Sequence, residues 1–500
     1  MIQGTGSSVG KSVLVAALCR IFKQDGINVA PFKAQNMSLN SYVTLDGHEI
    51  GRAQAVQAEA AGIEPTVEMN PVLLKPEADN YSQIIVRGKP LARISAVDFP
   101  QLKSQLWTAI GESIDFLRGR FDVIVIEGAG SPAEINLKDR DLVNMRVALY
   151  CNSPVLLAAD IDRGGVFAAL VGTMELLEPE EKALIKAYII NKFRGDVSLL
   201  RPGTRWLEQR TGIPVAGIIP YFHDIHIAEE DSIVVEKRVA MKQQRDFDLD
   251  VAVMALPHIA NFDDFDPLAR ETRVRLRYVE PQDELGNPDL IILPGSKSTV
   301  ADLAHLRNIG RDQDIIDAAA RGIPIIGICA GYQMLGLTIH DPDGVEAATP
   351  VTAGLSLLPV TSRFLPIKST HQIEARALLG RGLLARATGA RIRGYEIHMG
   401  RTYGVNPSQP FQVERRSQES CADLDGCLSD DGNILGTYIH GLFHNDEFRR
   451  GILRELAERK GKVLPETNAP FSADEQYDRL AALVRDNLDM ELVLRLLEHP

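Results

Sequence analysis

The chain of 500 residues is long enough for about three domains of ordinary size, or for two large ones. Hydrophobic residues make up 45% of it and charged residues 24%, which is typical of a folded globular protein and excludes a disordered one. The formal net charge of −13 has the wrong sign for a protein that grips a phosphate backbone. We therefore expect no nucleic-acid partner.

The five cysteines are isolated along the chain, without the Cys-x-x-Cys pair that would indicate zinc or a redox dithiol. An odd number of scattered cysteines favours a reducing compartment. The apolar run from Val13 to Cys19 is too short to span a bilayer. Because apolar residues recur there at helical spacing and Gly26 follows, we interpret the run as a buried helix. The sequence thus predicts a cytoplasmic protein with no membrane partner.

Short β-branched runs alternate with helical patterns along most of the chain. Apolar runs flanked by helices are typical of parallel strands that are buried on both faces. We therefore predict an α/β protein built from doubly wound parallel sheets. The runs occupy residues 123–126, 154–157, 187–190, 251–254, 290–293 and 323–326.

The strand pattern restarts after a charged stretch, residues 236–250, that is poor in core residues. We place a domain boundary there, near residue 240, which predicts a first domain over residues 1–240 and a second over 250–447. Two amphipathic helical stripes follow, and the second begins at Ser472 with a capping-box pattern. We expect residues 448–500 to form a helical extension that packs on the second domain.

A loop rich in glycine and serine, from Gly4 to Ser12, precedes the N-terminal helix. Small residues let consecutive backbone N–H groups face phosphate oxygens, Lys11 can reach the outer phosphates, and the Ser12 hydroxyl suits Mg²⁺. The loop departs from the usual pattern because five residues, rather than four, separate its glycines. We predict an ATP site here. Its loop residues are Thr5, Gly6, Gly10, Lys11 and Ser12.

A second Mg²⁺ ligand belongs at the end of a neighbouring strand, where a carboxylate can meet the metal without crossing the sheet. Glu127 and Asp160 each follow a predicted strand, so the expected metal ligands are Ser12, Glu127 and Asp160. Asn191 and Lys192 follow a third strand, where an amide and an ammonium group could contact a nucleotide base. We include Asn191 among the nucleotide-binding residues.

Cys329 lies between an apolar strand and a helical pattern, in the segment Gly-x-Cys-x-Gly. In a nucleophile elbow such glycines permit a sharp turn that presents the side chain, while backbone N–H groups stabilise the thiolate and an oxyanion. We predict that Cys329 is a nucleophile and that the other cysteines are inert. Its base should be a histidine. From the residues alone, His440 and His398, the latter with Glu396 on the same strand face, fit this role equally well.

Several segments resemble the cobyric and cobyrinic acid amidotransferase family of cobalamin biosynthesis, and the resemblance covers essentially the whole chain. The phosphate loop and the cysteine elbow alone would indicate an ATP-dependent amidotransferase. The segment Gln35-Asn36-Met37 resembles the cobyric acid synthases and separates them from the a,c-diamide synthases. The other similar segments include residues 31–43, 159–165, 191–195, 256–266, 293–298, 394–400 and 436–443.

The resemblance implies a P-loop ATP domain like that of dethiobiotin synthetase, followed by a flavodoxin-like class I glutamine amidotransferase domain. It implies Cys329 as nucleophile and His440 as base. It further implies a dyad, because Leu442 stands where many class I enzymes carry a glutamate. Since three residues precede the phosphate loop, the first strand is expected to be short, or the chain start incomplete.

The activity implied by the resemblance is an ATP- and glutamine-dependent amidation. Its acceptor would be adenosylcobyrinic acid a,c-diamide, amidated at the b, d, e and g carboxylates to give adenosylcobyric acid. The implied route runs through an acyl phosphate and ammonia released from glutamine. ATP and Mg²⁺ are the expected cofactors, and glutamine and the corrinoid are the expected partners.

Three alternatives remain open at this stage. An a,c-diamide synthase-like corrinoid amidotransferase would contain the same two sites. A phosphate-loop switch ATPase would typically carry an additional lysine early in the loop, where this chain has Gly4, Thr5 and Gly6. A glutamine-sensing module with a dead site would not need Cys329 in an intact elbow.

Overall fold

The computed structural model describes residues 1–77, 81–95, 97–227, 246–405, 407–465 and 471–498. The predicted α/β class with parallel sheets is confirmed. The boundary predicted near residue 240 lies outside the described residues. No helix in the described part of the chain combines the length and apolar character that crossing a bilayer requires.

The first domain alternates strands and helices over the described residues up to 227. Its strands are β1 Ile2–Gly4, β2 Val29–Phe32, β3 Gln35–Met37, β4 Ser41–Val43, β5 Glu49–Gly51, β6 Val72–Pro76, β7 Tyr81–Val86, β8 Lys89–Ser95, β9 Val123–Ile126, β10 Val155–Asp160, β11 Ile185–Phe193 and β12 Val215–Pro220. Its helices are α1 Lys11–Gln24, α2 Arg52–Ala61, α3 Lys103–Arg118, α4 Met145–Cys151, α5 Val166–Leu176, α6 Pro179–Leu184 and α7 Arg201–Thr211.

A parallel sheet forms the centre of this domain. β1, β10, β11 and β12 pair in that order, and β2 pairs with β9. A bridge between Ile2 and Glu127 joins the two groups of strands. Because all these strands run in one direction, the loop after β1, the residue after β9 and the end of β11 meet at one edge. The predicted nucleotide site lies at that edge.

A smaller sheet, β3-β6-β7-β8, adjoins the parallel one. β3 pairs parallel with β6, and the remaining pairs are antiparallel. Its apolar face packs on α3 through a core that includes Leu74, Ile84, Leu106 and Ile110. The sequence analysis did not predict these strands.

The second domain contains two sheets. Its strands are β13 Leu249–Met254, β14 Val274–Val279, β15 Leu290–Leu293, β16 Ile325–Ile328, β17 Thr338–His340, β18 Val351–Ala353, β19 Val360–Ala377, β20 Arg391–Gly404, β21 Phe411–Arg416, β22 Glu419–Asp425, β23 Cys427–Leu428 and β24 Ile434–Thr437. Its helices are α8 Asp266–Ala269, α9 Thr299–Asn308, α10 Arg311–Ala320, α11 Ala330–Leu335 and α12 Asp446–Arg459, and the C-terminal helices are α13 Ala473–Asn487 and α14 Met490–Glu498.

The main sheet of the second domain has the order β14-β13-β15-β16-β24-β23. Its strands are parallel except β23, which lies antiparallel at one edge. The second sheet, β18-β17-β19-β21-β22, carries β20 as a long hairpin partner of β19. One continuous apolar core joins the two sheets. Cys329 and His440 follow β16 and β24, which are neighbours in the main sheet.

The C-terminal helices divide between the domains, which corrects the prediction that residues 448–500 pack on the second domain. α12 does so, because Phe448 and Ile452 belong to the core of that domain. α13, however, packs on α1 of the first domain, where Leu480 and Val484 join its core. Arg20 of α1 also forms ion pairs with two aspartates of α13. An amphipathic stripe specifies that a helix needs an apolar partner, not which domain supplies it.

Candidate active sites

Cys329 occupies the predicted elbow. Its φ of 51° lies in the left-handed region, which is uncommon for a residue with a side chain and marks strain at a functional turn. Both glycines of the motif are required by close packing. A Cβ at Gly331 would collide with the backbone of Leu293, and one at Gly327 would collide with the turn of Gly331. The strand end and the following helix therefore hold the thiol at the floor of a cavity, 7% exposed.

His440 lines the same cavity as Cys329, whose thiol donates to the Ile397 carbonyl oxygen at 3.6 Å. The carboxylate of Asp264 and, to a lesser extent, Cys329 both favour the charged form of His440. The ring stacks on Tyr395, with centroids 5.1 Å apart and planes at 9°. A Cβ at Gly295 would press on the imidazole, so that position has no room for a side chain. The role of His440 as the base stays a prediction, and the structure places its ring in the cavity that contains the thiol.

Asp264 orients His440, although it was not among the residues predicted from the sequence. Its Oδ2 lies 2.7 Å from Nδ1 of His440, and its Oδ1 accepts a hydrogen bond of 2.7 Å from the Gly441 N–H. The arrangement is thus a Cys–His–Asp triad rather than the expected dyad. Burial alone would lower the pKa of His440, but Asp264 and Cys329 outweigh it and raise that pKa to about 10.

His398, the alternative base, lines the same cavity in a different role. Its Nδ1 lies 2.6 Å from the Gly400 carbonyl oxygen, and its ring stacks on Tyr438 at 3.9 Å. Its Nε2 lies 3.8 Å from Glu396, which is also paired with Arg416. These contacts fix His398 as part of the cavity wall.

The loop that carries Asp264 is held by the first domain. Asn261 accepts a hydrogen bond of 2.9 Å from the Ser41 N–H. Asp263 forms an ion pair of 3.1 Å with Arg52, at the start of α2. Since Asp263 is adjacent to the acid of the triad, the position of the first domain bears directly on the thiol site. The cavity above Cys329 has a volume of about 610 Å³ and is lined by both domains.

The phosphate loop has the geometry that its sequence predicts. Gly10 takes a φ of 96°, and a Cβ there would collide with the amide of Asn191. The Lys11 ammonium donates to the carbonyl oxygens of Gly6 and Gly130, at 2.8 and 3.0 Å. The ammonium is thereby held over the mouth of the loop. A cavity of about 490 Å³ opens there.

Ser12 and Glu127 meet as predicted. The Ser12 hydroxyl donates to Oε1 of Glu127 at 2.7 Å, and Lys33 donates to the same oxygen at 2.9 Å. Burial would raise the pKa of Glu127, but Lys33 together with hydrogen bonds from Gln57 and Ser12 holds it below its ordinary value. The carboxylate is therefore ionised, and its Oε1 lies next to the serine hydroxyl. Lys33 and Gln57 were not identified from the sequence.

These two oxygen donors fit Mg²⁺. In the described part of the chain no group of three or more His, Cys, Asp or Glu side chains could hold a metal alone. Mg²⁺ is commonly bound by one or two protein oxygens together with nucleotide phosphates. A pair such as Ser12 and Glu127 beside a phosphate loop matches that mode.

The remaining predicted residues lie around the loop in different roles. Asp160 forms an ion pair of 3.1 Å with Lys192 and is not among the residues that line the phosphate cavity. Thr5 continues β1 through a hydrogen bond to Ala158, and neither it nor Gly6 lines that cavity. Asn191 does line it, with its amide donating to the Val9 carbonyl at 2.8 Å. Asn191 thus supports the loop backbone as well.

The fold and the two sites define a class, namely glutamine amidotransferases that carry their own nucleotide-binding domain. Residues 1–235 match the CobQ/CobB/MinD/ParA nucleotide binding domain, and residues 250–448 match the CobB/CobQ-like glutamine amidotransferase domain. Within this class the chain belongs to the cobyric acid synthase family, which confirms the resemblance found in the sequence.

Full-length relatives support this membership. The chain is 51% identical to the cobyric acid synthase of Dehalococcoides mccartyi (strain CBDB1), over 99% of this chain and 98% of the relative. It is 52% identical to that of Sorangium cellulosum (strain So ce56), over 99% and 98%. It is 51% identical to that of Desulforamulus reducens (strain MI-1), over 98% and 96%.

Proposed function

We propose that the protein amidates the b, d, e and g carboxylates of adenosylcobyrinic acid a,c-diamide, using ATP and glutamine, to give adenosylcobyric acid. The observation that carries this proposal is the presence of a Cys–His–Asp triad and a phosphate loop with a carboxylate beside its serine in one chain. The full-length similarity to cobyric acid synthases supports the choice of acceptor. A switch ATPase would have no use for the triad. The five unbridged cysteines support a cytoplasmic location.

The second domain would release ammonia from glutamine. The Cys329 thiolate attacks the side-chain amide, and a tetrahedral oxyanion forms and collapses to a thioester. His440, held by Asp264, gives its proton to the departing ammonia. Water then attacks the thioester with His440 as base, which yields glutamate and restores the thiol. The buried Asp264 keeps the imidazole in the required tautomer throughout.

The first domain would activate the acceptor. A carboxylate is a poor electrophile, so its oxygen first attacks the terminal phosphorus of ATP, which forms an acyl phosphate and releases ADP. Lys11 lies where it can offset the charge on the transferred phosphoryl group. Ser12 and Glu127 would hold a Mg²⁺ ion, which would supply positive charge against the charge that develops on the phosphates. Ammonia then attacks the acyl carbon and phosphate leaves.

A direct assay tests this function. The protein is incubated with ATP, glutamine and either adenosylcobyrinic acid or its a,c-diamide, and the product mass is measured. We expect the a,c-diamide to gain four amide groups. Amidation of cobyrinic acid only at the a and c positions would instead assign the a,c-diamide synthase activity. No mass gain with either acceptor would refute a corrinoid amidotransferase.

A further inference from the structure

The proposed function sets two demands on the place where the acceptor binds, and the following inference rests on that function. The acceptor carboxylate must reach the terminal phosphate of a nucleotide held by Lys11 and Ser12. The same carbon must then receive ammonia that was formed at Cys329. The acceptor pocket must therefore border the phosphate cavity and lie near the thiol cavity.

A cavity of about 880 Å³ in the first domain meets the first demand. It shares Met37, Ala129 and Gly130 with the lining of the phosphate cavity. Gly130 is also the residue whose carbonyl accepts from the Lys11 ammonium. A ligand in this cavity would thus lie directly beside the outer phosphates. We refer to it as the lateral cavity.

The small sheet β3-β6-β7-β8 meets the second demand, because it separates the lateral cavity from the thiol cavity. Successive side chains of a strand point to opposite faces. In register across the sheet, Lys75 pairs with Gln83, and Gln83 pairs with Arg93. The residues of the sheet that line the thiol cavity are Lys75, Gln83 and Arg93, and Glu77, just after β6, lines it too. Those that line the lateral cavity are Gln35, Met37, Leu74, Ser82, Ile94 and Ser95.

The walls of the lateral cavity are largely apolar. Met37 and Leu137 are 56% and 50% exposed, and Leu149 is also exposed. Phe99 adds an aromatic ring to the same lining. Exposed apolar side chains gathered around a concave surface mark a ligand site rather than ordinary surface. They offer a contact face for a large, flat ring system.

Cations surround this apolar surface. Lys103, Arg140 and Arg146 line the cavity, and none of them forms an ion pair with a carboxylate in the described part of the chain. The carboxylate of Asp141, by contrast, is occupied by backbone N–H groups, including that of Arg146. The cavity therefore combines an apolar face with positive charge that is available to a ligand. The acidic residues of the lining are exposed Glu134, Asp141, and Glu181, which forms an ion pair with Lys138 of the same lining.

We infer that the lateral cavity binds the corrin ring of the acceptor, with the ring against Met37 and Leu137 and its carboxylates toward Arg140 and Arg146. A corrinoid acid is a large apolar macrocycle fringed by carboxylates, which is the complement of this lining. The ring can turn within an open cavity to present one carboxylate after another to the phosphates. The sheet behind it keeps the acceptor out of the thiol cavity while ammonia is supplied from the other side.

The double variant Arg140→Ala/Arg146→Ala tests the charge contacts. The dissociation constant of adenosylcobyrinic acid a,c-diamide is measured by equilibrium dialysis in the presence of a non-hydrolysable ATP analogue. Because the variant loses two partly exposed ion pairs with the ligand, we expect the dissociation constant to rise about tenfold. The matched control is Arg205→Ala/Arg210→Ala, which removes two exposed cations of α7 outside this lining. The control should leave the constant within twofold of the wild-type value.

The variant Ser82→Trp tests the cavity itself, because the indole ring of the new tryptophan would project from the small sheet into the lateral cavity and occupy space that the corrin needs. We expect corrinoid binding to be lost while the ATP analogue still binds, which also shows that the first domain is folded. Gln83→Trp, one residue further and on the opposite face, should leave the corrinoid dissociation constant unchanged.

The outcomes separate this inference from the function on which it rests. Unchanged corrinoid binding in both the double variant and Ser82→Trp, with amidation by the wild type intact, would overturn the placement alone. A wild-type protein that neither binds nor amidates the corrinoid would refute the proposed function, and the placement with it.

Discussion

Asp264→Asn is the substitution that most sharply tests the triad. The carbonyl oxygen of asparagine can still accept from the Gly441 N–H, so the loop keeps its backbone anchor. The amide replaces the carboxylate oxygen that lies 2.7 Å from Nδ1 of His440. The change therefore removes the charge and the tautomer control while preserving shape. Burial, which lowers the pKa of His440, is then no longer opposed by Asp264.

The structure gives the size of this effect. The difference between a pKa of about 10 and the ordinary 6.5 of histidine corresponds to roughly 5 kcal/mol in favour of the charged ring, and Asp264 and Cys329 both contribute to it. Without it, less imidazolium is present to protonate departing ammonia at neutral pH. Loss of general acid–base assistance costs ~10²–10⁴-fold in rate. We expect kcat for glutamine hydrolysis to fall within that range.

The assay compares glutamine and ammonium chloride as nitrogen sources for the corrinoid reaction. Synthesis from ammonium should persist in Asp264→Asn, because the first domain is unaltered. Stability adds a second readout. Since folding raises the pKa of His440, the stabilising ion pair is fully present below about pH 6.5 and is lost as the pH rises through about 10. The Tm difference between wild type and variant should shrink accordingly. Glutamine hydrolysis at the wild-type rate would refute the role of Asp264.

Further substitutions probe the division of labour and the packing. Cys329→Ala should abolish glutamine-driven synthesis and spare synthesis from ammonium, whereas equal loss of both would contradict separate sites. Lys11→Ala should stop synthesis from either nitrogen source, measured as ADP release. Arg52→Ala should slow glutamine hydrolysis about tenfold by freeing Asp263, and Arg52→Lys should restore part of the rate; equal rates in all three proteins would exclude this positioning role. Leu480→Ala, at a fully buried site on α13, should lower the free energy of unfolding by about 2–5 kcal/mol, measured with urea, and a change below 0.5 kcal/mol would contradict packing of α13 on the first domain.

The sequence predicts the parts of this molecule whose chemistry is local. Apolar runs locate β9, β10, β11, β13, β15 and β16, since strands of parallel sheets are buried on both faces. The phosphate loop and the cysteine elbow are contiguous segments. Their glycines are explained by simple steric requirements, namely close approach of the backbone to phosphate and a sharp turn at the cysteine. Glu127 follows from the rule that ligands collect at the carboxyl ends of parallel strands.

Asp264 shows why the rest of the site could not be predicted in the same way. It lies 176 residues before His440, in a segment that also contains two other aspartates. Only the three-dimensional contact between that loop and the residues after β24 shows which of the three aspartates faces His440. The segment 256–266 was recognised as part of the family pattern, so a buried acid there was the available signal.

Asp160 ends β10 as predicted, and its carboxylate forms an ion pair with Lys192 of the neighbouring strand. Its role as a metal ligand stays a prediction. The small sheet β3-β6-β7-β8 was not predicted, because its strands are short and one of its faces is polar, and such a sequence resembles a loop. The partner of α13 was also beyond reach, since periodicity carries no information on which core a helix joins.

In the proposed reaction, one chain couples ammonia release at Cys329 to carboxylate activation at the phosphate loop. The most direct test supplies glutamine labelled with ¹⁵N in its side-chain amide, together with excess unlabelled ammonium salt at a pH where little free ammonia is present. The mass of the corrinoid product is then measured. Each new amide should carry ¹⁵N, and ADP, glutamate and amide should form in equal amounts. Product that carries only ¹⁴N, or glutamate formed without any matching amide, would contradict this coupling.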